Sequence, residues 1–294
     1  MAPRTESPWA RFRAEFAESR LAMAGLALLV AILALGILAP VISPQNPYDL
    51  AQLDVMDSRL APGEKSADGR TYWLGTDDQG RDMLSGIFYG LRISLGVGVA
   101  STVFALAIGL VFGLVAAYFG GWVDTIIMRV VDIQLSFPAI LIALILLAVL
   151  GQGVDKIVIA LVTVQWAYYA RTVRSSALVE RQKEYVEAAR VLALGQARIV
   201  FRHLLPNCLP PLIVVATVQV AHAIALEATL SFLGLGLPIT EPSLGLLISN
   251  GFQYLLSGKY WISFYPGVAL LLTIMAINLV ADQLRDILNP RLRK

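Results

Sequence analysis

The run LAMAGLALLVAILALGILAPVI, Leu21–Ile42, holds 22 residues without one charge. A helix needs roughly 20 apolar residues to cross a hydrocarbon core about 30 Å thick, so this run reads as a bilayer span. Its Arg-bearing N-terminal flank resembles a signal peptide, but the run is long for one and no small-x-small cleavage site follows, so an uncleaved anchor is expected. Five further apolar runs succeed it: Ser94–Tyr118, Val131–Leu150, Ile157–Ala170, Pro210–Leu230 and Ser263–Ala281. The fourth is short and reaches full length only if Lys156 and Arg171 snorkel to the two interfaces. Two shorter pieces, Ser231–Leu237 and Leu244–Leu256, are broken by Gly and Pro and read as interfacial or re-entrant. Composition agrees with the runs. Of 294 residues 57% are apolar and 15% charged, with a mean hydropathy of +0.70, whereas a soluble domain carries about 25% charge. The expectation is an all-α, polytopic membrane protein with six transmembrane helices.

Basic residues orient the chain. With the N-terminus inside, 16 of the 23 Lys and Arg fall on the inner side and seven outside. The opposite orientation would put the seven-basic segment 171–209 outside. Both termini are therefore expected in the cytoplasm. The chain divides into an N-terminus (1–20), a first span (21–42), an extracytoplasmic loop (43–93) and a five-helix core (94–294) that includes the cytoplasmic loop 171–209. A single cysteine, Cys208, excludes a disulfide scaffold, and with His203 and His222 as the only imidazoles a structural zinc or iron–sulfur site is not expected.

The loop 171–209 is the most informative soluble stretch. From Ala177 to Leu192 the pattern is helical, with Leu178, Tyr185, Ala188, Ala189 and Leu192 on one side and Glu180, Lys183, Glu184, Glu187 and Arg190 on the other. Gly195 breaks the run. A second short helix, Ala197–Leu205, is expected to end at Pro206, and Pro210 and Pro211 restart the chain as a span. Amphipathicity alone equally fits a basic loop lying on anionic headgroups. Within the spans, Gln219 and His222 share a helix face at i and i+3 and either line a pathway or bond a neighbouring helix. Glu227, near the outer end of the same span, is a pathway or gate candidate, or an interface-level carboxylate bonding the Gly-rich segment after it. Asp132 and Arg129 read as a structural pair at the inner interface.

The run Glu187-Ala188-Ala189-Arg190-Val191-Leu192-Ala193-Leu194-Gly195, continuing to Leu205-Pro206-Asn207, resembles the EAA motif of ABC importer permeases. Where that family has glycine six residues after the Glu, this chain has Ala193, with Gly195 two later. The resemblance implies that the loop docks into a cleft on a cytosolic ATPase, with Glu187, Ala188, Ala189, Arg190, Ala193, Gly195, Leu205 and Pro206 as the coupling residues. Small alanines allow close approach, and a carboxylate offers a charge-assisted partner to a base opposite. Three further stretches resemble the dipeptide, oligopeptide and nickel branch: Leu74-Gly75-Thr76-Asp77 through Leu95, Glu227 through Gly236, and Asn278 through Asn289-Pro290-Arg291. Together they cover roughly residues 70 to 294. The N-terminal anchor and outer loop suit the "C"-type permease of a pair.

The resemblance implies a type I importer core and half of a translocation pathway working by alternating access. It implies a homologous second permease, two cytosolic ABC ATPases carrying ATP and Mg, an extracytoplasmic solute-binding protein, contact with membrane lipid and none with nucleic acid, in a bacterial-type inner membrane. No G-x-x-x-x-G-K-[ST] stands in this chain, so no Walker loop and no cofactor of its own are expected. The alternatives are an ion- or proton-coupled secondary transporter, which calls for midplane carboxylates and internal repeats, and an intramembrane enzyme, for which no H-E-x-x-H or serine–histidine constellation is present. The solute itself, whether peptide, nickel chelate, opine or sugar, is left open.

Overall fold

The computed structural model describes residues 8–288, which are helical throughout apart from turns and two isolated bridges in the segment after the first span. The Asn289-Pro290-Arg291 stretch lies outside the described residues. Helix α1 (Pro8–Glu18) precedes α2 (Arg20–Ile42), which Ser19 caps by accepting the Ala22 N–H at 3.2 Å. The second run proves longer than its apolar part. Helix α3 (Met83–Phe119) begins eleven residues before Ser94, because Asp82 caps it, accepting from Ser85 N at 2.8 Å and Ser85 Oγ at 2.5 Å. Its 37 residues rise about 55 Å, more than the hydrocarbon core requires.

The third run is not one straight span. It forms the latter part of α4 (Gly121–Leu135) and all of α5 (Ala139–Leu150), and these two helices are bent by 89° across Ser136-Phe137-Pro138. Proline disfavours helical backbone at the residue before it and donates no bond itself, so an apolar run read through Pro138 overlooks a corner. Asp124 and Asp132 hold α4 to α6 (Val154–Glu180) through Arg174 and Arg171, at 2.5 and 2.6 Å. Asp132 thus pairs with Arg171 rather than with Arg129, its neighbour in sequence.

Helix α6 (Val154–Glu180) extends the short fourth run at both ends. Its moderate hydropathy follows from its place in the fold, since α3, α4, α5 and α9 cover it. The closest approach is to α3 at Gly109 and Gly113. A Cβ on Gly109 would lie 2.4 Å from Tyr169 Cβ, and one on Gly113 2.6 Å from the Ala170 carbonyl oxygen. Small residues four apart let two helix backbones meet this closely within a membrane.

After α7 (Glu184–Val191) come α8 (Gln196–Arg198), a π turn (Ile199–Leu204) and α9 (Leu205–Phe232), together one 37-residue helix. The short helix α10 (Leu244–Phe252), capped by Ser243, packs between α9 and α11 (Trp261–Leu288), with Gly245 against the Ala228 backbone and Gly251 against Ser263. Helices α2, α3, α8–α9 and α11 are each long and apolar enough to cross a membrane, and the bent α4–α5 pair makes a fifth if its two helices count as one broken span. Helix α6 is long enough as well, which is compatible with six spans.

Two ends are distinct. One, here the basic end, carries α1, α7 and the close of α11, where Gln283 Nε2 donates to the Glu15 carbonyl at 3.1 Å. The far end carries the segment between α2 and α3, folded on buried polar groups. There Tyr72 donates to Asp57 at 2.8 Å, Thr76 Oγ1 to the Asp57 carbonyl at 2.5 Å, and Asp82 N to Gln45 Oε1 at 2.6 Å.

Candidate coupling loop and translocation cavity

The loop candidates stand on α7 and the turns beside it. The expected single helix from Ala177 to Leu192 is two, because the chain turns at Arg181–Lys183, where Glu180 is bonded by Lys183 Nζ at 2.6 Å and by the Tyr185 hydroxyl at 2.7 Å. Burial, and then that bond to Glu180, push the Tyr185 hydroxyl up to about 12, so it is a donor throughout the physiological range. Helix α7 rests on Val186 and Ala189, which pack on Ile199, Leu204 and Leu194. The buried face matches the expected one at Ala189 and, in part, at Tyr185, but not at Ala188 or Leu192. Ala188 points outward, Val191 and Leu192 are 86% and 72% exposed, and Glu187, Arg190 and Ala193 share this free side.

The turn after α7 is a Schellman motif. Leu194 N bonds Ala189 O at 3.1 Å and Ala193 N bonds Arg190 O at 2.9 Å, while Ala189 and Leu194 pack together. The motif needs a left-handed residue after the cap, and that residue is Ala193 at φ 51°. Gly195 does not break the helix. It sits two residues beyond the turn in extended backbone, φ −58° and ψ 143°, where any residue fits.

Pro206 likewise ends nothing, since the helix runs through it. The π turn before it widens the ladder to i→i−5, with Leu205 N on Val200 O. This takes up the donor that proline lacks and the clash of its ring with the carbonyl one turn back. Leu205 is half-buried and Pro206 exposed.

The pathway candidates separate. Gln219 and His222 both line a cavity of about 800 Å³ formed by α5, α6 and α9, together with Gln165 and Tyr168 of α6 and with Arg285. Glu227 does not line it. Its side chain is wholly buried, with Oε2 accepting from Ser94 Oγ of α3 at 2.7 Å and Oε1 from Ser231 Oγ at 2.8 Å. The carboxylate thereby joins α3 to the end of α9. Gln165 and Tyr168 escaped the sequence reading, although they repeat the i, i+3 polar spacing of Gln219 and His222 inside an apolar run, which was the available signal.

Helices α7 and α9 and the cavity all lie within residues 109–294, which match the family model of the binding-protein-dependent transport system inner membrane component. The chain belongs to this family. Residues 7–62 match a second model, the N-terminal TM domain of oligopeptide transport permease C. The permease is 40% identical over 269 residues to a putative peptide transport system permease protein of Brucella suis, covering 92% of this chain and 87% of that protein. It is 36% identical over 290 residues to a dipeptide transport system permease protein of Bacillus subtilis, covering 99% and 87%. Its fold is similar to a chain of the inward-facing MetNI methionine ABC transporter, with a TM-score of 0.57 at 23% identity over 70% of this chain and 98% of that one. The permease is a membrane-spanning subunit of an ABC importer, not its ATPase, and works with an ATPase and a solute-binding protein.

Proposed function

We propose that the permease forms half of a translocation pathway for peptides or a related small solute, and that α7 is where ATP-driven motion enters. The observation that carries this reading is the free face of α7, where Val191 and Leu192 stand exposed beside Glu187 on a base that is itself packed. Such a face offers a partner both apolar area and a carboxylate for a charge-assisted bond. In this reading the basic end is cytoplasmic, both termini lie there, and the membrane is the bacterial inner membrane. Two cytosolic ATPases bind ATP and Mg, and none of that chemistry falls on this chain. A homologous second permease completes the pathway, and a solute-binding protein delivers at the far end.

The geometry supplies a route for the motion. Tyr185 ties α7 to the close of α6 through Glu180, and Val186 and Ala189 tie it to the π turn that leads into α9. Helices α6 and α9 are two walls of the cavity, so displacing α7 displaces both. An ATPase can shift the permease between states only by binding one of them better, and the contact at Glu187, Ala188, Arg190, Ala193 and the turn to Gly195 is where that preference acts, while Ala189 holds α7 to its base. Leu205 and Pro206 pass it to α9. The test is Glu187→Lys in the assembled transporter. Uptake is expected to be lost while the protein stays folded in the membrane and its ATPases detach on mild solubilisation. Intact uptake with this variant would refute the docking role of α7.

A further inference from the structure

We propose that Gln165, Tyr168, Gln219 and His222 form a transit site that takes the main-chain amides of a short peptide through neutral hydrogen bonds. This rests on the reading of the cavity as the pathway. The four side chains come from two helices, each contributing an i, i+3 pair, and all of them line one cavity. Along α9 that cavity runs from Val214 to Thr229, about 22 Å of helix rise, most of the thickness of a hydrocarbon core. The site therefore lies in the interior of the passage and not at its mouth.

Its chemistry is selective in kind. Carboxamide, phenol and imidazole each can donate and accept, which matches the alternating N–H and C=O of a peptide main chain. Among the described residues no carboxylate and no lysine lines the cavity, and the one cation that does is Arg285 near the basic end of α11. A free divalent cation would find a single imidazole and no carboxylate, too few ligands to replace its water. Gln165 adds an independent observation. It is 3% exposed, its Nε2 reaches the Gln219 carbonyl only at 3.4 Å, and its Oε1 has no partner among the described residues. Buried amide oxygens are normally satisfied, so this one, closed off just behind the cavity wall, is an acceptor that a rotation of the side chain would present to a solute. Neutral groups also suit passage, because a site that conducts must bind weakly enough to release. Charge-blind amide recognition would let side chains of any sign pass once the binding protein has delivered them.

The test uses the complete transporter in proteoliposomes, with uptake of alanyl-alanine, a lysine-containing and a glutamate-containing dipeptide, each at saturating binding protein. Gln219→Glu is expected to raise the cationic-to-anionic uptake ratio about tenfold, and His222→Lys to lower it about tenfold, because a unit charge about 6 Å away in a water-filled cavity shifts the two peptides about threefold each in opposite directions. Gln219→Asn should keep the wild-type ratio. Ratios unchanged within twofold in both charged variants, or all three peptides falling together, would overturn the transit site. A separate measurement guards the underlying reading: Cys208→Ser with Val218→Cys, labelled by a membrane-impermeant maleimide with and without ATP and vanadate. Labelling that ignores the nucleotide state refutes the cavity as pathway. Labelling that follows it, with unmoved ratios, refutes the transit site alone.

Discussion

Exchanging the two residues of the turn after α7, Ala193→Gly with Gly195→Ala, tests whether the left-handed position lies at 193. Ala193 holds φ 51° with its side chain exposed, so the change removes no packing. An L-residue in this region costs roughly 1–2 kcal/mol that glycine does not, while glycine adds about 0.4–1 kcal/mol of disorder to the opened state. The net gain is about 0.7 kcal/mol, or about threefold in the local opening equilibrium. Gly195 has ordinary φ and open space where a Cβ would go, so Gly195→Ala by itself is expected to fall within about 0.5 kcal/mol of neutral. The assay is native-state hydrogen exchange of the Ala193 and Leu194 amides, whose bonds to Arg190 and Ala189 close the turn. Ala193→Gly should slow them about threefold. If Gly195→Ala alone accelerates them severalfold while Ala193→Gly changes nothing, the left-handed residue is at 195 and the assignment of the turn fails.

Gly109→Leu should lower the melting temperature in detergent by several degrees, because its Cβ alone would come within 2.4 Å of Tyr169 Cβ and 2.6 Å of the Trp166 carbonyl, and overpacking of this kind costs about 1–3 kcal/mol. A melting point unchanged by Gly109→Leu would mean that α3 and α6 do not meet there. Glu227→Leu should destabilise by about 2 kcal/mol through the stranded hydroxyls of Ser94 and Ser231, whereas Glu227→Gln keeps an acceptor and should lose less; equal losses would argue against the hydrogen-bonded cluster. Burial pushes the Asp77 carboxyl up to about 6, against the opposing pull of the Arg81 backbone N–H and side chain. The folded state thus keeps this proton to higher pH than the unfolded state, and the group's contribution to stability falls as pH rises from about 4 to about 6, by roughly 3 kcal/mol in all. Asp77→Asn preserves an oxygen for Gln79 N and Arg81 N, at 2.8 and 2.9 Å, and should flatten the melting temperature against pH over that interval; an unaltered slope would refute the shift.

How much of the fold could be read from the sequence depended on whether a feature is set by the solvent or by a neighbour. Bilayer thickness acts on each run separately, so Leu21–Ile42 and Pro210–Leu230 stand out by length and lack of charge. The i, i+3 spacing that puts Gln219 beside His222 is likewise a property of one helix. Local rules failed where their inputs were distant. Pro206 looked like a helix stop until the π turn before it relieved the ladder, and Gly195 looked like the turn residue although the Schellman bonds put that role on Ala193.

The sequence by itself determined that the chain is a helical membrane protein, where most of its spans lie, and that an amphipathic loop stands between two of them, because hydrophobic run length and helical period are local quantities. Only the tertiary structure decided that α6 crosses the interior of the bundle, that Asp132 pairs with Arg171, and that Glu227 answers Ser94 across 133 residues of chain. Only it, too, brought Gln165 and Tyr168 to the cavity of Gln219 and His222. The physical reason is common to all of these. A polar side chain within a membrane must find its partner wherever packing places one, and that packing turns on glycines such as Gly109 and Gly113, whose value depends on what faces them.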